Sequence, residues 1–226
     1  MGLCLILKKY YHHGVIMGTD DLRKKRNTKT RDREAKRKKN EIILIVCEGE
    51  KTEKNYLNQL KDFFRLSNVS INIISSKKPN PSQIVEFTKE KNKDYSYNKV
   101  YCVFDKDTHS DFDKARQECE KYKFEAITSN PCFEFWILLH FTYTTKSFST
   151  NSPCNELIES DLKKHIKDYK KDYNFTSIIK QNLSTAIANA QKANKEAEKN
   201  NYTSSYTFMD KLALKFQELN SARINQ

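Results

Sequence analysis

Two short acidic sequences follow apolar runs, and their side chains are the best suited to chemistry. Glu48, Gly49 and Glu50 come directly after IILIVC, and Asp105 and Asp107 come directly after VYCVF. Side chains two positions apart in an extended segment point the same way, so the two aspartates are expected to converge. If the two runs form neighbouring strands, Glu48 lies about 4.8 Å to the side and reaches the same point.

Three carboxylates at one point predict a metal site. Like charges this close resist ionisation without a counter-ion. Carboxylate oxygens are the ligands of hard divalent cations, and Mg²⁺ or Mn²⁺ fits best. Acidic residues also occur at strand ends simply because loops are solvated, and that alternative is strongest for Glu48 taken alone. Together, Glu48, Asp105 and Asp107 are predicted to be both the metal ligands and the catalytic groups.

Four further residues are candidates for the second shell or for a second metal. Glu50 follows on the loop, and Glu53 begins the next predicted helix, where an acid also favours the helix dipole. Glu134 shares a predicted helix face with apolar residues, so it either points to the metal or is exposed in the first turn, because a buried unpaired carboxylate is costly. His109 is either a proton shuttle or incidental.

The elements that must position these residues alternate between strand and helix. Strands are predicted at 42–47, 69–75, 100–104 and 124–128, and helices at 51–66, 82–93, 110–122 and 129–141. Apolar strands in this order predict an α/β fold with a parallel sheet between helices. Asn130 is expected to cap the last helix, with Pro131 in its first position. Ligands of such sheets bind beyond the carboxyl ends of the strands, where both acidic sequences lie.

Gly49 is the only glycine after residue 18. Because glycine has no β-carbon, we expect it to permit a turn that other residues would not tolerate, and to let a substrate backbone approach closely. The alternative is an ordinary glycine at the end of a strand.

The positive charge of the chain is concentrated near its start. The net charge is +12, and residues 23–39 hold eleven Lys and Arg against two acids, which leaves +9 in that segment. We therefore divide the 226 residues into a disordered or helical basic arm (1–40), an α/β catalytic domain (41–145) and a helical extension (146–226). Residues 1–16 are expected to precede the natural start at Met17.

The basic arm is predicted to contact nucleic acid. So many cations would neutralise several phosphates, although a charged tail can also serve only for solvation. The residues assigned to this contact are Arg23, Lys24, Lys25, Arg26, Lys36, Arg37, Lys38 and Lys39. No apolar run approaches the ~20 residues that span a bilayer, so no membrane partner is expected. The six cysteines form no C-x-x-C pair, which favours reduced thiols in a cytoplasmic protein.

Three sequences together, IVCEGEKTEKNY, VFDKDTH and SNPCFEFWILLHF, resemble the RloB family, and the Glu-Gly and D-x-D elements resemble a Toprim domain. The resemblance covers about residues 42–141 and continues more weakly through the C-terminal helices. It implies a four-stranded parallel Toprim-like sheet and Mg²⁺-dependent chemistry on phosphodiesters. By position, Glu48 matches the Toprim glutamate, a ligand or general acid/base, and Asp105 and Asp107 match the metal-holding pair. Such proteins often lie beside restriction–modification and phage-defence genes, which implies antiphage defence, including abortive infection.

Three functions stay open from the sequence. The first is a metal-dependent nuclease acting on DNA or RNA, including tRNA. The second is a non-enzymatic nucleic-acid-binding subunit that works with a protein partner in a defence complex. The third is a phosphatase of the haloacid-dehalogenase type, with Asp105 of FDKDT as nucleophile and Asp107 as acid, although that motif normally follows the first strand rather than the third. A P-loop or Rossmann fingerprint is excluded because no second glycine lies near any predicted strand.

Overall fold

A five-stranded sheet forms the centre of the computed structural model, which describes residues 41–95, 97–148 and 151–224. The strands are β1 (Ile43–Cys47), β2 (Ile71–Ser75), β3 (Lys99–Asp105), β4 (Glu125–Asn130) and β5 (Tyr206–Thr207). Their order is β2-β1-β3-β4-β5. The first four strands are parallel, and β5 pairs antiparallel with β4. The arm and its eight assigned cations lie outside the described residues.

Helices cover both faces of this sheet. They are α1 (Thr52–Phe63), α2 (Pro81–Asp94), α3 (Phe112–Tyr122), α4 (Glu134–Leu138), α5 (Pro153–Ser160), α6 (Thr176–Lys199) and α7 (Met209–Ile224), with a 3₁₀ turn at Leu162–Lys164. The predicted α/β class is confirmed, whereas the expected four-stranded, wholly parallel sheet is corrected to a mixed sheet of five. Among the described residues, every helix is too short or too polar to cross a bilayer.

The strands bury side chains on both faces, as their continuous apolar sequences predict. Ile43 and Ile45 of β1 pack in a core with α1, α4, α6 and α7. Leu44 and Val46 point the other way and pack with α2 and α3. Phe216 of α7 belongs to the first core, so the C-terminal helices and the sheet share one apolar interior.

The segment that follows β4 differs most from its prediction. The expected cap at Asn130 is wrong, because Asn130 is the last residue of β4 and pairs with Tyr206 of β5. Its amide Nδ2 donates to the carbonyl of Ser204 at 2.9 Å. The helix begins only at Glu134 and spans five residues. The short β5 therefore extends β4 into a stretch whose Asn-Pro sequence favours a helix start.

A buried polar pair joins α1 to the chain just after α4. Tyr56 and His140 are fully buried. Burial lowers the pKa of His140 to about 4, so its imidazole is neutral at pH 7. Since Nδ1 lies 3.0 Å from the carbonyl of Trp136, it must carry the proton, and Nε2 accepts from the Tyr56 hydroxyl at 3.0 Å.

We expect Tyr56→Phe to lower the free energy of unfolding by about 1–3 kcal/mol, because it leaves a buried imidazole acceptor without a donor. The matched control is Tyr95→Phe, since Tyr95 is 67% exposed. Urea unfolding of both variants at pH 7 checks this. Equal unfolding midpoints for the two variants would contradict the role assigned to the hydrogen bond.

Candidate active site

The two acidic sequences meet because β1 and β3 are adjacent parallel strands. Cys47 is paired with Val103, and the Glu48 main-chain N–H donates to the Val103 carbonyl at 3.1 Å. The prediction that these strands are neighbours is confirmed. The carboxyl ends of both strands consequently deliver their acids to one edge of the sheet.

An acidic cleft of about 290 Å³ lies at this edge. The acids that line it are Glu48, Glu50, Glu53, Asp105, Asp107 and Glu134. Two lysines, Lys51 and Lys171, line it as well. All three residues predicted as ligands, and three of the four further candidates, are thus brought to one cavity. His109 is not among the lining residues.

The chain turns sharply after β3. Asp107 has a φ of 32°, in the left-handed region that Asp tolerates better than most residues. Its N–H donates to the Pro131 carbonyl at 2.9 Å, which fixes the turn against the segment after β4. The extended geometry assumed in the spacing argument is therefore wrong at Asp107. The turn nevertheless leaves Asp105 partly buried and Asp107 exposed along the same cleft.

Gly49 leaves space for a neighbouring side chain and does not have an unusual backbone angle. Its φ lies outside the left-handed region, so the expected turn is not what demands glycine. A β-carbon at this position would lie 2.6 Å from Oε2 of Glu53. The bare backbone of Gly49 is what allows the Glu53 carboxylate to lie over the loop and face the cleft.

The carboxylates raise one another's proton affinity. Burial raises the pKa of Glu48 to about 7, with Asp107 and Glu134 adding to it. Burial likewise raises the pKa of Glu53 to about 7, with contributions from Glu134 and Glu48. The pKa of Asp105 is also well above its ordinary value because of burial and the charges of Glu53 and Glu48. Desolvation and mutual repulsion therefore both oppose the ionisation of the acids in the cleft.

This donor set has the chemistry that a hard divalent cation complements. Oε2 of Glu48 is buried and has no hydrogen-bond partner within the described part of the chain. In that same part, no three His, Cys, Asp or Glu side chains are already arranged as a metal-binding group. The oxygens fit the cation in kind and in charge, although they are not gathered around one point in this structure. Metal binding by Glu48, Asp105 and Asp107 stays a prediction.

The other predicted acids have different surroundings. Glu50 is exposed and forms an ion pair with Lys77 at 2.6 Å. Glu53, in the first turn of α1, is buried. Glu134 is buried at the start of α4 and accepts a hydrogen bond from the Tyr169 hydroxyl at 2.9 Å. The prediction that Glu134 is exposed in the first turn is wrong, since its carboxylate lies in the cleft and is hydrogen-bonded to Tyr169.

Residues from the C-terminal part of the chain complete the wall of the cleft. Tyr169 holds Glu134, and Lys171 lines the cavity directly. The hydroxyl of Thr52 donates to the Lys171 carbonyl at 3.3 Å, which joins this loop to the start of α1. Sequence reasoning missed these residues, because KDYKKDY shows only a polar segment and no spacing relates it to Glu48.

One comparison with known proteins bears on this chain. A family model described as RloB-like protein matches residues 43–215. No curated protein and no solved structure matches. The match includes both acidic sequences, Glu134 and the loop that carries Tyr169 and Lys171.

The acidic cleft should make the metal-free protein less stable at neutral pH than in mild acid. The pKa of Glu53 is about 7 in the folded state against 4.5 as its ordinary value, so the folded state binds the proton more tightly. The free energy of unfolding then increases as the pH falls from about 8 to 4.5, and this group contributes up to ~3 kcal/mol of the increase. We expect Glu53→Gln in EDTA to be more stable than the wild type at pH 8, and the gain to vanish near pH 4.5.

Urea unfolding across this pH range measures the effect, with Glu50→Gln as the control because Glu50 is exposed and paired with Lys77. A Glu53→Gln protein that is destabilised at pH 8 would show that the carboxylate is a structural partner instead.

Gly49→Ala should act through Glu53. The backbone accepts alanine, and the new methyl group pushes the flexible carboxylate toward solvent, where its pKa returns toward 4.5. The variant should therefore lose much of the pH dependence that Glu53 causes. In a double-mutant cycle measured by urea unfolding, Gly49→Ala and Glu53→Gln should be strongly non-additive. Additive effects would mean that the glycine serves another purpose.

Proposed function

The chain belongs to the RloB-like protein family, and from this premise we propose that it is a metal-dependent nuclease of Toprim type. It would hydrolyse phosphodiester bonds of DNA or RNA, including tRNA, in antiphage defence. The observation that carries the proposal is the convergence of Glu48, Asp105 and Asp107 on one cleft at the carboxyl edge of β1 and β3. A cluster of buried acids is a poor binding surface for a polyanion unless cations are recruited to it.

Glu48, Asp105 and Asp107 would hold Mg²⁺ or Mn²⁺. A bound cation supplies an activated water and neutralises charge that develops on the phosphate. Asp105 ends β3 and Glu48 follows β1 directly, so the sheet positions these two side chains, while the turn held by Pro131 positions Asp107. Asp107 is the most exposed of the three and is therefore suited to contact a substrate that enters the cleft.

Glu48 has a second role open to it. Without metal its pKa is about 7, which suits a group that accepts a proton from an attacking water at neutral pH. Its buried Oε2 has no partner among the described residues and is therefore free to accept a proton or to bind a cation. Both roles were open from the sequence, and each requires the carboxylate to lie where it does.

Glu53 and Glu134 extend the donor set on the α1 and α4 side of the cleft. Glu134 is fixed by the Tyr169 hydroxyl, and Glu53 lies over Gly49. Their charges raise the pKa of Asp105 after the larger effect of burial, so both lie within electrostatic range of it. They are suited to orient the attacking water or to hold a second cation.

A purely structural role for the acids, as in a non-enzymatic binding subunit, is less consistent with their surroundings. Structural carboxylates in a protein interior are normally paired or hydrogen-bonded, because burying them otherwise is costly. In this cleft Glu48, Glu53 and Asp105 repel one another, and the charge of Lys171 only partly opposes the raised pKa of the two glutamates. Such an arrangement would destabilise the metal-free protein, and binding of a cation would restore the stability.

We expect purified protein to cleave RNA or DNA in Mg²⁺ or Mn²⁺, and Asp105→Asn or Glu48→Gln to slow cleavage at least ~100-fold. Asp113→Asn is the matched control, because Asp113 is an exposed aspartate on α3 outside the cleft. Single-turnover assays should use single-stranded DNA, duplex DNA, RNA and tRNA in parallel. Circular dichroism of each variant verifies that it is folded.

Equal cleavage by the wild type and Asp105→Asn, or none on any substrate with either metal, would defeat the proposal. A panel of phosphomonoesters run with the same proteins separates the phosphatase alternative. Hydrolysis of that panel with formation of an aspartyl phosphate on Asp105 would favour it.

A further inference from the structure

One cation enters the acidic cleft from the C-terminal part of the chain. Lys171 lies on the loop between the 3₁₀ turn and α6, and it lines the cleft that also contains Glu48 and Asp105. Its side chain is exposed, and it makes no ion pair within the described part of the chain. Nothing in the carboxylate chemistry requires a lysine at this place.

The loop that carries Lys171 is fixed to the site at three points. The Thr52 hydroxyl donates to the Lys171 carbonyl at 3.3 Å, and Asn55 Nδ2 donates to the Tyr173 carbonyl at 2.8 Å. On the other side the Tyr169 hydroxyl donates to Glu134 at 2.9 Å. The main chain of Lys171 is therefore held beside the start of α1, and only its side chain is free to move.

The charge of Lys171 acts at the centre of the cleft. Burial dominates the raised pKa of Glu48 and of Glu53, and the charge of Lys171 opposes it at both. Lys51, the other lysine that lines the cleft, acts instead on exposed Glu50. Lys171 is thus near the central carboxylates without being bound by them, so it is available to an anion that enters.

We propose that Lys171 contacts the substrate phosphate, its Nζ donating a hydrogen bond to a non-bridging oxygen of the group to be cleaved. The inference rests on the proposed nuclease function and assigns a substrate contact to the C-terminal part of the chain. A positive charge beside the cation site would stabilise the negative charge that develops on the phosphate during attack. The anchoring of the loop means that little reorganisation accompanies this contact.

The test compares Lys171→Ala and Lys171→Arg with Lys170→Ala. Lys170 is the preceding residue, is also exposed and does not line the cleft. Binding is measured by fluorescence anisotropy of a labelled single-stranded oligonucleotide in Ca²⁺, and single-turnover cleavage in Mn²⁺. Lys171→Ala should bind about tenfold more weakly, lower the salt slope by about 0.7, and cleave ~100-fold more slowly. Lys170→Ala should stay within about twofold, and Lys171→Arg should recover part of the loss.

A neutral methylphosphonate at the mapped cleavage position separates phosphate contact from a structural effect. If Lys171 contacts that phosphate, the wild type and Lys171→Ala should bind and cleave the neutral substrate equally well. Equal affinities of Lys171→Ala and Lys170→Ala for the oligonucleotide would overturn the inference. Binding that depends on Lys171 without any cleavage supports the contact and defeats the nuclease proposal. A wild type that neither binds nor cleaves overturns both.

Discussion

Carboxylates that lie close together in a partly buried cleft repel one another, and the surrounding structure holds them in place against this repulsion. The two central parallel strands are buried on both faces, so their ends cannot separate to relieve the repulsion. Glu48 follows β1 directly, and Asp105 is the last residue of β3. The raised pKa of each records the cost. We propose that a divalent cation is the ligand whose binding would offset this local cost.

The rest of the chain supports the same centre from both sides. Gly49 gives room for the Glu53 carboxylate, and Tyr169 holds Glu134. Because α6 and α7 pack in the core with β1 and α1, the loop that carries Tyr169 and Lys171 is a part of the site wall. Fold and site are thus interdependent, and the family match over residues 43–215 spans both.

The sequence predicted what depends on local pattern. Continuous apolar runs gave the four parallel strands, and acids at their ends gave the edge where the site lies. It could not predict contacts between distant residues, such as Thr52 with Lys171 or Asn130 with Tyr206. For the same reason β5 was missed, since two residues are too few to show alternation. The left-handed turn at Asp107 and the contact of Gly49 with Glu53 also arise only from the folded arrangement.

We propose that the acids are gathered to bind a divalent cation. A crystal of the protein soaked in Mn²⁺ and recorded near the manganese absorption edge tests it most directly. We expect an anomalous peak in the cleft, within coordination distance of carboxylate oxygens of Glu48, Asp105 and Asp107. A cleft without such a peak, in crystals where Mn²⁺ occupies other acidic sites, would contradict it.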